Sequence, residues 1–126
     1  MSDRVLIVDD NEDVRRILAL RLGMAGFDVS AAADGREGLA AVRGGQWDLV
    51  LLDLVMPEVD GFEFLAELRH DARAAPPVVV ITQYDDATNR QRALALGATC
   101  YVGKSRALER GFPNTLREWV DQFRLR

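Results

Sequence analysis

The sequence has one cysteine, no long apolar run and no basic cluster, and each of these shortages excludes a class of protein. A single cysteine, Cys100, cannot form an internal disulfide, so a reducing, cytoplasmic setting is expected. No apolar run reaches the roughly 18 residues of a membrane span, and the N-terminus lacks the pattern of a signal peptide. The net charge is −4, so we expect no direct binding to nucleic acid or to an acidic membrane.

What the sequence does contain is the composition of an ordinary globular domain. It has 126 residues, of which 48% are hydrophobic and 29% charged. That length suffices for one domain with a buried core, and we expect a single domain over residues 1–126. Cys100 lies in a short apolar run, which indicates a packed thiol rather than a reactive one.

Five short apolar runs alternate with segments of helical periodicity. The runs predict strands over residues 5–8, 27–31, 49–52, 78–81 and 99–102. Each helical segment opens with a residue that favours a helix N-terminus, in order Asn11, Asp34 with Glu37, Asp60 with Glu63, Asp85-Asp86, and Pro113. The first helix should bury Val14, Ile17, Leu18 and Leu22, and the last should bury Leu116, Trp119, Val120 and Phe123.

This alternation predicts an α/β fold in which a doubly wound, five-stranded parallel sheet lies between two layers of helices. Strand–helix–strand units have right-handed crossovers, which cover both faces of such a sheet. The run 49–52 has no polar alternation, as expected of a strand buried on both faces. The chain should therefore form a three-layer α/β/α domain with five helices.

Polar residues follow four of the five strands, and a parallel sheet gathers strand ends at one edge. The residues concerned are Asp9, Asp10, Asp53, Thr82 and Lys104. Two carboxylates about 4–5 Å apart repel by roughly 3–4 kcal/mol, whereas a nearby helix N-terminus returns only about 0.3–1 kcal/mol. A cation is therefore expected there, and hard oxygen ligands suit Mg²⁺, which usually works beside a phosphate.

The same residues suit phosphoryl transfer. Lys104 supplies a compact positive charge for phosphate oxygens, and Thr82 supplies a hydroxyl donor. An aspartate such as Asp53 can act as a nucleophile toward phosphorus and form an aspartyl-phosphate. The set is therefore interpreted as a phosphoryl-transfer site with its acceptor built in.

With these residues in place, the sequence resembles the receiver domain of bacterial two-component response regulators along essentially the whole chain. The resemblance rests on Asp9-Asp10, Asp53, Met56-Pro57, Asp60-Gly61, Thr82, Tyr101 and Lys104, in that order. It implies the strand order 2-1-3-4-5. It also implies a phosphorylation-dependent switch, rather than an enzyme that turns over an external substrate.

The resemblance also implies individual roles. Asp53 would accept a phosphoryl group from a histidine kinase, a phosphotransfer protein or a small acyl phosphate. Mg²⁺ would be held by Asp10, Asp53 and the backbone carbonyl of Val55, with Asp9 acting through water. Lys104 would pair with the phosphoryl group. Thr82 and Tyr101 would form a switch pair that changes the surface of the fourth helix, fifth strand and fifth helix.

Three features depart from the family pattern. Ser105 follows Lys104 where the family commonly has a cis proline, so we expect a trans peptide and a helical turn over Arg106 to Arg110. Gln83 follows Thr82 where a small residue is usual, and its amide could lie across Asp53 and modulate the reaction. The segment from Lys104 to Pro113 is also longer than usual.

Three rival functions make different demands on these residues. A flavodoxin would need a Ser, Thr and Gly-rich phosphate loop where Asp9-Asp10-Asn11-Glu12 stands, and a haloacid-dehalogenase-type phosphatase needs a second aspartate where Val55 stands. A pseudo-receiver that is never phosphorylated and serves as a constitutive docking module remains the alternative.

The resemblance further predicts a downstream protein partner and a monomer or weak dimer. The reason is that Ala98-Thr99-Cys100 lacks the acidic pair that precedes the tyrosine in many DNA-binding members. His70 is expected to face solvent, and Trp47 and Trp119 are expected to pack the core.

Overall fold

Strands and helices alternate along the chain as the sequence predicts. The computed structural model describes residues 2–56, 58–71, 75–84 and 86–125. The strands are β1 (Arg4–Val8), β2 (Asp28–Ala32), β3 (Leu49–Asp53), β4 (Val78–Thr82) and β5 (Cys100–Gly103). The helices are α1 (Glu12–Met24), α2 (Gly35–Gly44), α3 (Gly61–His70), α4 (Ala87–Ala95), α5 (Lys104–Ala107) and α6 (Phe112–Arg124). No helix within these ranges is long and apolar enough to span a membrane.

The five strands form one parallel sheet in the order β2-β1-β3-β4-β5, which confirms the predicted architecture and strand order. Val8 pairs with Leu52, and Thr82 at the end of β4 pairs with Gly103 at the end of β5. Every residue of β3 and β4 is buried. The strands whose ends carry Asp53 and Thr82 are therefore the most rigidly enclosed part of the fold.

Alternate strand residues face two separate core layers. One face of the sheet packs on α2, α3 and α4 through residues that include Leu6, Val50, Leu52, Val80, Leu39, Phe64, Leu65 and Ala93. The opposite face packs on α1 and α6 through Val5, Ile7, Leu51, Ile81, Leu18, Leu22, Leu116 and Val120. Because a strand alternates its side chains between faces, both layers come from the same continuous apolar runs.

Four helices begin where capping residues predict. Asn11, Asp34, Asp60 and Asp86 each accept a hydrogen bond from the backbone N–H three residues on, at 3.0, 2.7, 2.9 and 2.8 Å. Each such cap satisfies one of the N–H groups that a helix start leaves without a partner. Asp85, the other acid of the predicted fourth start, lies outside the described residues.

The expected burial of Ile17 is wrong. Its exposed fraction is 38%, whereas Val14, Leu18 and Leu22 are buried. Those three residues follow one another at intervals of four, which keeps them on one narrow stripe of α1. Ile17 falls beside that stripe and is left partly in solvent.

The predicted count of five helices is also wrong, because a short sixth helix follows β5. This helix runs from Lys104 to Ala107, so it starts two residues before the expected turn over Arg106 to Arg110. The N–H of Leu108 donates to the Lys104 carbonyl at 3.1 Å. The Lys104–Ser105 peptide is trans, which confirms that expectation. Unlike proline, Ser105 places no restriction on the preceding residue, so Lys104 itself can be helical.

Smaller differences concern the ends of elements. Strands β2 and β5 each begin one residue later than predicted. The last helix begins at Phe112, so Pro113 is its second residue rather than its first. Boundaries of this kind commonly vary by a residue or two.

Candidate functional site

The predicted functional residues meet at the carboxyl edge of the sheet. Asp9 and Asp10 follow β1, Asp53 is the last residue of β3, Thr82 is the last of β4, and Lys104 follows β5 directly. Asp9, Asp53 and Thr82 are buried, at 0%, 4% and 0% exposed. The site is therefore built into the top of the core rather than placed on a surface loop.

Three carboxylates form its centre. Asp9, Asp10 and Asp53 each offer an oxygen within 4.8 Å of the others. Asp10 is exposed, unlike its two neighbours. The cluster is consequently closed on the protein side and open to solvent on one side, from which an ion or a phosphoryl donor can approach.

Lys104 is the cation of this cluster and the only lysine in the sequence. Its Nζ lies 3.0 Å from Asp9 Oδ2 and 3.6 Å from Asp53 Oδ2, and its side chain is 16% exposed. The closer partner is thus Asp9, whereas the resemblance points to the phosphoryl group on Asp53. Which carboxylate a flexible lysine stem approaches depends on backbone placement, so no feature of the sequence could have indicated it.

Asp9 is held rigidly by the start of the following helix. Its Oδ1 accepts from the backbone N–H of Asn11 at 2.9 Å, and the Arg15 guanidinium donates to its backbone carbonyl at 2.8 Å. Its Oδ2 is buried, and its one partner among the described residues is the Lys104 ammonium, in the ion pair at 3.0 Å. Because this one ammonium is shared with Asp53, it offsets the charge of the buried carboxylates only in part, which favours an additional cation at this position.

The electrostatic environment of Asp53 is unusual. Burial raises the pKa of this carboxyl to about 7, and the negative charge of Asp9 acts in the same direction. The Lys104 ammonium and the Val55 N–H, 3.5 Å from Asp53 Oδ1, oppose this rise. Without a further cation, the Asp53 carboxyl therefore holds its proton to a higher pH than an ordinary aspartate does.

The donor set fits Mg²⁺. Hard carboxylate oxygens with open access to water are the environment this ion prefers. A divalent cation would also add positive charge beside Asp9 and would lower the pKa of Asp53.

The loop after Asp53 is fixed by a close approach of two backbones. The N–H of Gly61 donates to the Leu54 carbonyl at 2.8 Å, and a side chain at Gly61 would come within 2.7 Å of the Asp53 carbonyl oxygen. Within the loop, Glu58 has a φ of 65°, which is uncommon for a residue other than glycine. Pro57, part of the motif that carries the resemblance, lies outside the described residues.

Thr82 and Tyr101 are joined through the backbone of a residue that sequence reasoning missed. The N–H of Tyr84 donates to Thr82 Oγ1 at 3.0 Å, and the Tyr101 hydroxyl donates to the Tyr84 carbonyl at 2.6 Å. Tyr101 is 7% exposed. Tyr84 makes this link through its backbone N–H and carbonyl, so the identity of its side chain could not have predicted the link.

The remaining predicted residues take ordinary positions. Gln83 is exposed, and its placement across Asp53 stays a prediction. His70 is exposed, as expected, at the end of α3. Trp47, Trp119 and Cys100 are partly buried against the core, which also agrees with expectation.

Comparisons with known proteins agree with this geometry. The sequence profile described as "Response regulator receiver domain" matches residues 5–112. The chain is 39% identical over 103 residues to the "Probable transcriptional regulator ycf27" of Porphyridium aerugineum, covering 82% of this chain and 42% of that protein. It is 41% identical over 101 residues to "Transcriptional regulatory protein TcrA" of Mycobacterium tuberculosis, covering 80% of this chain and 40% of that protein. The chain thus spans less than half the length of these relatives.

Solved structures show the same likeness. The chemotaxis protein CheY4 of Vibrio cholerae superposes with a TM-score of 0.83 at 31% identity, covering 97% of this chain and 98% of that one. A CheY-like response regulator receiver domain protein from Methanospirillum hungatei gives a TM-score of 0.86 at 28% identity, with 97% and 96% covered. The flavodoxin and phosphatase alternatives find no support in these matches.

Proposed function

The chain belongs to the response regulator receiver domain family, and from that membership we propose that it is a phosphorylation-dependent signalling switch whose acceptor is Asp53. The observation that carries the proposal is the placement of Asp53. It is a buried carboxylate at a strand end, with Lys104 Nζ at 3.6 Å and oxygens of Asp9 and Asp10 close by. Asp9 has the same lysine partner and the same acidic neighbours, but it is fully buried and both of its carboxylate oxygens are engaged, Oδ1 by the Asn11 N–H at 2.9 Å and Oδ2 by Lys104 at 3.0 Å.

Asp10, Asp53 and the Val55 carbonyl would hold Mg²⁺, with Asp9 acting through water. When bound, the ion supplies positive charge that offsets the charge of the phosphoryl oxygens and keeps Asp53 ionised. An oxygen of the Asp53 carboxylate forms the new bond to phosphorus, and the bond from phosphorus to the donor's leaving group breaks. Lys104 then lies within reach of the transferred oxygens and neutralises part of their charge.

The signal would leave the site through Thr82 and Tyr101. Hydrogen bonds from Thr82 and Lys104 to a charged phosphoryl group contribute about 1.5–3 kcal/mol each. Their sum approaches the roughly 5.5 kcal/mol that shifts a two-state equilibrium from 1:99 to 99:1. The Thr82–Tyr84–Tyr101 connection supports a change at the surface of α4, β5 and the following helices.

The test is incubation with acetyl phosphate and Mg²⁺, read by intact mass. The wild-type protein should gain about 80 Da, the mass of one phosphoryl group, and chelation of Mg²⁺ should prevent this gain. Asp53→Asn should remove the gain entirely. Asp48→Asn changes an aspartate at the opposite edge of the sheet and should be labelled normally. Equal labelling of Asp53→Asn and wild type would contradict the assignment.

A docking module that is never phosphorylated is the second candidate, favoured by Gln83 and Ser105. If it is correct, the wild-type protein gains no mass under any of these conditions. If Asp53 is labelled, Gln83→Ala should change the rate of labelling or of label loss. Identical rates in both steps would leave Gln83 as an ordinary exposed side chain.

We further propose a histidine kinase or phosphotransfer protein as the donor and a protein as the downstream partner. The named relatives are transcriptional regulators, and this chain spans less than half of their length. The segment Ala98-Thr99-Cys100 lacks acidic residues, so activation should give a monomer or a weak dimer. Sedimentation of the beryllofluoride-activated protein tests this, and a tight symmetric dimer dispersed by moderate salt would contradict it.

A further inference from the structure

Tyr101 is held in its buried position at its hydroxyl end by the segment that precedes α4. The Tyr84 carbonyl accepts from the Tyr101 hydroxyl at 2.6 Å and also from the Asp86 N–H at 3.1 Å. Asp86 in turn caps α4 through the N–H of Asn89. The carbonyl that accepts from the tyrosine hydroxyl is therefore hydrogen-bonded to the N-cap residue of α4.

A second contact, from α4 itself, covers the ring of Tyr101. The guanidinium carbon of Arg90 lies 5.3 Å from the ring centroid, within the range of a cation–π interaction. The N–H of Arg90 donates to the Asp86 carbonyl at 3.0 Å, so Arg90 lies one turn into α4. The hydroxyl of Tyr101 is thus held by the segment before α4, and its ring is covered by a residue of α4 itself.

The need for such a cover follows from the position of β5. This strand is the last in the sheet order, so it lies at an edge of the sheet. Tyr101 is nevertheless only 7% exposed, although Arg90 itself is exposed. An aromatic ring at a sheet edge can rotate toward solvent unless something covers it, and Arg90 is the residue in contact with its face.

We propose that Arg90 is a positioning residue that holds Tyr101 inward and thereby sets the ratio of inward to outward tyrosine. Its part in signalling rests on the proposed function, since Tyr101 would be the residue whose position changes on phosphorylation. Arg90 is not one of the residues that form the acidic cluster or the acceptor, and in this proposal it acts on Tyr101 through the aromatic ring.

The two tyrosines of the chain allow this to be measured directly. Both can be replaced by 3-fluorotyrosine, and the two ¹⁹F signals assigned with Tyr84→Phe. A soluble gadolinium chelate then broadens each signal according to its exposure. In the wild type the Tyr84 signal should broaden strongly and the Tyr101 signal weakly, because they are 49% and 7% exposed.

Arg90→Met removes the charge and keeps most of the aliphatic stem. In the unphosphorylated, Mg²⁺-free protein it should raise the exposed population of Tyr101 about two- to five-fold, the range expected for a solvent-exposed cation–π contact. Arg90→Lys, which retains a cation, should give a smaller increase. Arg92→Met is the matched control, because Arg92 lies on the same helix and covers Phe62 at 3.9 Å. It should leave the Tyr101 signal unchanged.

Unchanged broadening of Tyr101 in Arg90→Met would overturn the proposal, as would an equal change in Arg92→Met. Acetyl phosphate labelling of the same variants separates this result from the proposed function. Arg90→Met should reach a steady-state labelled fraction about two- to five-fold lower at subsaturating donor, because the inward tyrosine favours the phosphorylated state. If Arg90→Met is labelled normally although its Tyr101 signal changes, the signalling role of Arg90 is refuted. A wild type that takes no label refutes the proposed function, while the ¹⁹F result still decides whether Arg90 holds Tyr101.

Discussion

Opposite edges of the sheet each hold three aspartates near one cationic side chain, and the two groups differ in burial and in the direction of their pKa shifts. We call them the carboxyl-edge cluster (Asp9, Asp10, Asp53 and Lys104) and the amino-edge cluster (Asp3, Asp48, Asp121 and Arg124). In the amino-edge cluster the Arg124 side chain is 49% exposed and donates to Asp3, and to Asp48 at 3.2 Å. The hydrogen bond to Asp3, followed by that to Asp48, raises the pKa of Arg124.

The carboxyl-edge cluster contains similar charged groups, but its carboxylates are buried and share a single ammonium. Lys104 is a compact ammonium shared between two buried carboxylates, whereas the planar guanidinium of Arg124 donates to several acceptors at once. Burial raises the pKa of Asp53 to about 7, although a lysine lies beside it. The comparison teaches that burial, rather than the number of charges, separates a structural clamp from a site prepared for a ligand.

Removal of Lys104 should cause the largest loss of stability among the substitutions at either edge of the sheet. Lys104→Met leaves Asp9 and Asp53 buried without their cation, so the free energy of unfolding at pH 8 should fall by about 3 kcal/mol. Saturating Mg²⁺ should restore much of this loss because a cation is returned to the carboxylates. Urea denaturation with and without Mg²⁺ measures both effects. A loss below about 1 kcal/mol, or no recovery with Mg²⁺, would show that the cluster is not short of positive charge.

Asp53→Asn should stabilise the metal-free protein at alkaline pH. The unfolded carboxyl has a pKa near 4 and the folded one about 7, so the folded state binds the proton more tightly. The stabilisation from Asp53 is therefore complete below about pH 4 and is lost as the pH rises through 7. Asparagine is neutral throughout, so the variant should be more stable by up to about 4 kcal/mol at pH 8, the equivalent of about three pKa units, and nearly equal to wild type at pH 4.

Asp48→Asn provides the matched change at the other edge. Asp48 accepts from the Arg4 N–H at 2.7 Å and from Arg124, so its neutralisation should cost about 1 kcal/mol at pH 8. The same substitution should therefore have opposite signs at the two edges. Thermal denaturation across pH measures both variants. Destabilisation by Asp53→Asn at pH 8 would contradict the raised pKa.

Arg124→Met should have the smallest effect. The Arg124 side chain is half-exposed, and exposed ion pairs contribute about 0.2–1 kcal/mol each. We expect a loss of about 0.5 kcal/mol that shrinks further in about 1 M salt, because exposed charges are screened. A loss as large as that of Lys104→Met would remove the distinction between the two clusters.

The sequence predicted the fold and the composition of the carboxyl-edge cluster because both follow from local patterns. Unbroken apolar runs indicate buried parallel strands, and strand ends must meet at one edge. Asp9, Asp53, Thr82 and Lys104 meet there. The individual roles of these residues in phosphoryl transfer stay predictions.

What the sequence could not predict depends on contacts between distant segments. The nearer approach of Lys104 to Asp9 than to Asp53 depends on where β5 ends. The connection from Thr82 to Tyr101 passes through the backbone of Tyr84, and backbone groups carry no residue-specific signal. The exposure of Ile17 depends on how α1 is rotated against the sheet.

The central claim is that the carboxyl-edge cluster is a divalent cation site, whereas the amino-edge cluster is complete without one. Lys104 is the only lysine, so protein labelled with [ε-¹³C]lysine gives a single side-chain signal from the cluster itself. Titration with Mg²⁺ should shift this signal saturably, because the ion takes over carboxylates that now contact the ammonium. Asp10→Asn should weaken or abolish the shift, while Asp3→Asn should leave it intact. A Lys104 signal that does not respond to Mg²⁺, or that responds equally in Asp10→Asn, would contradict the claim.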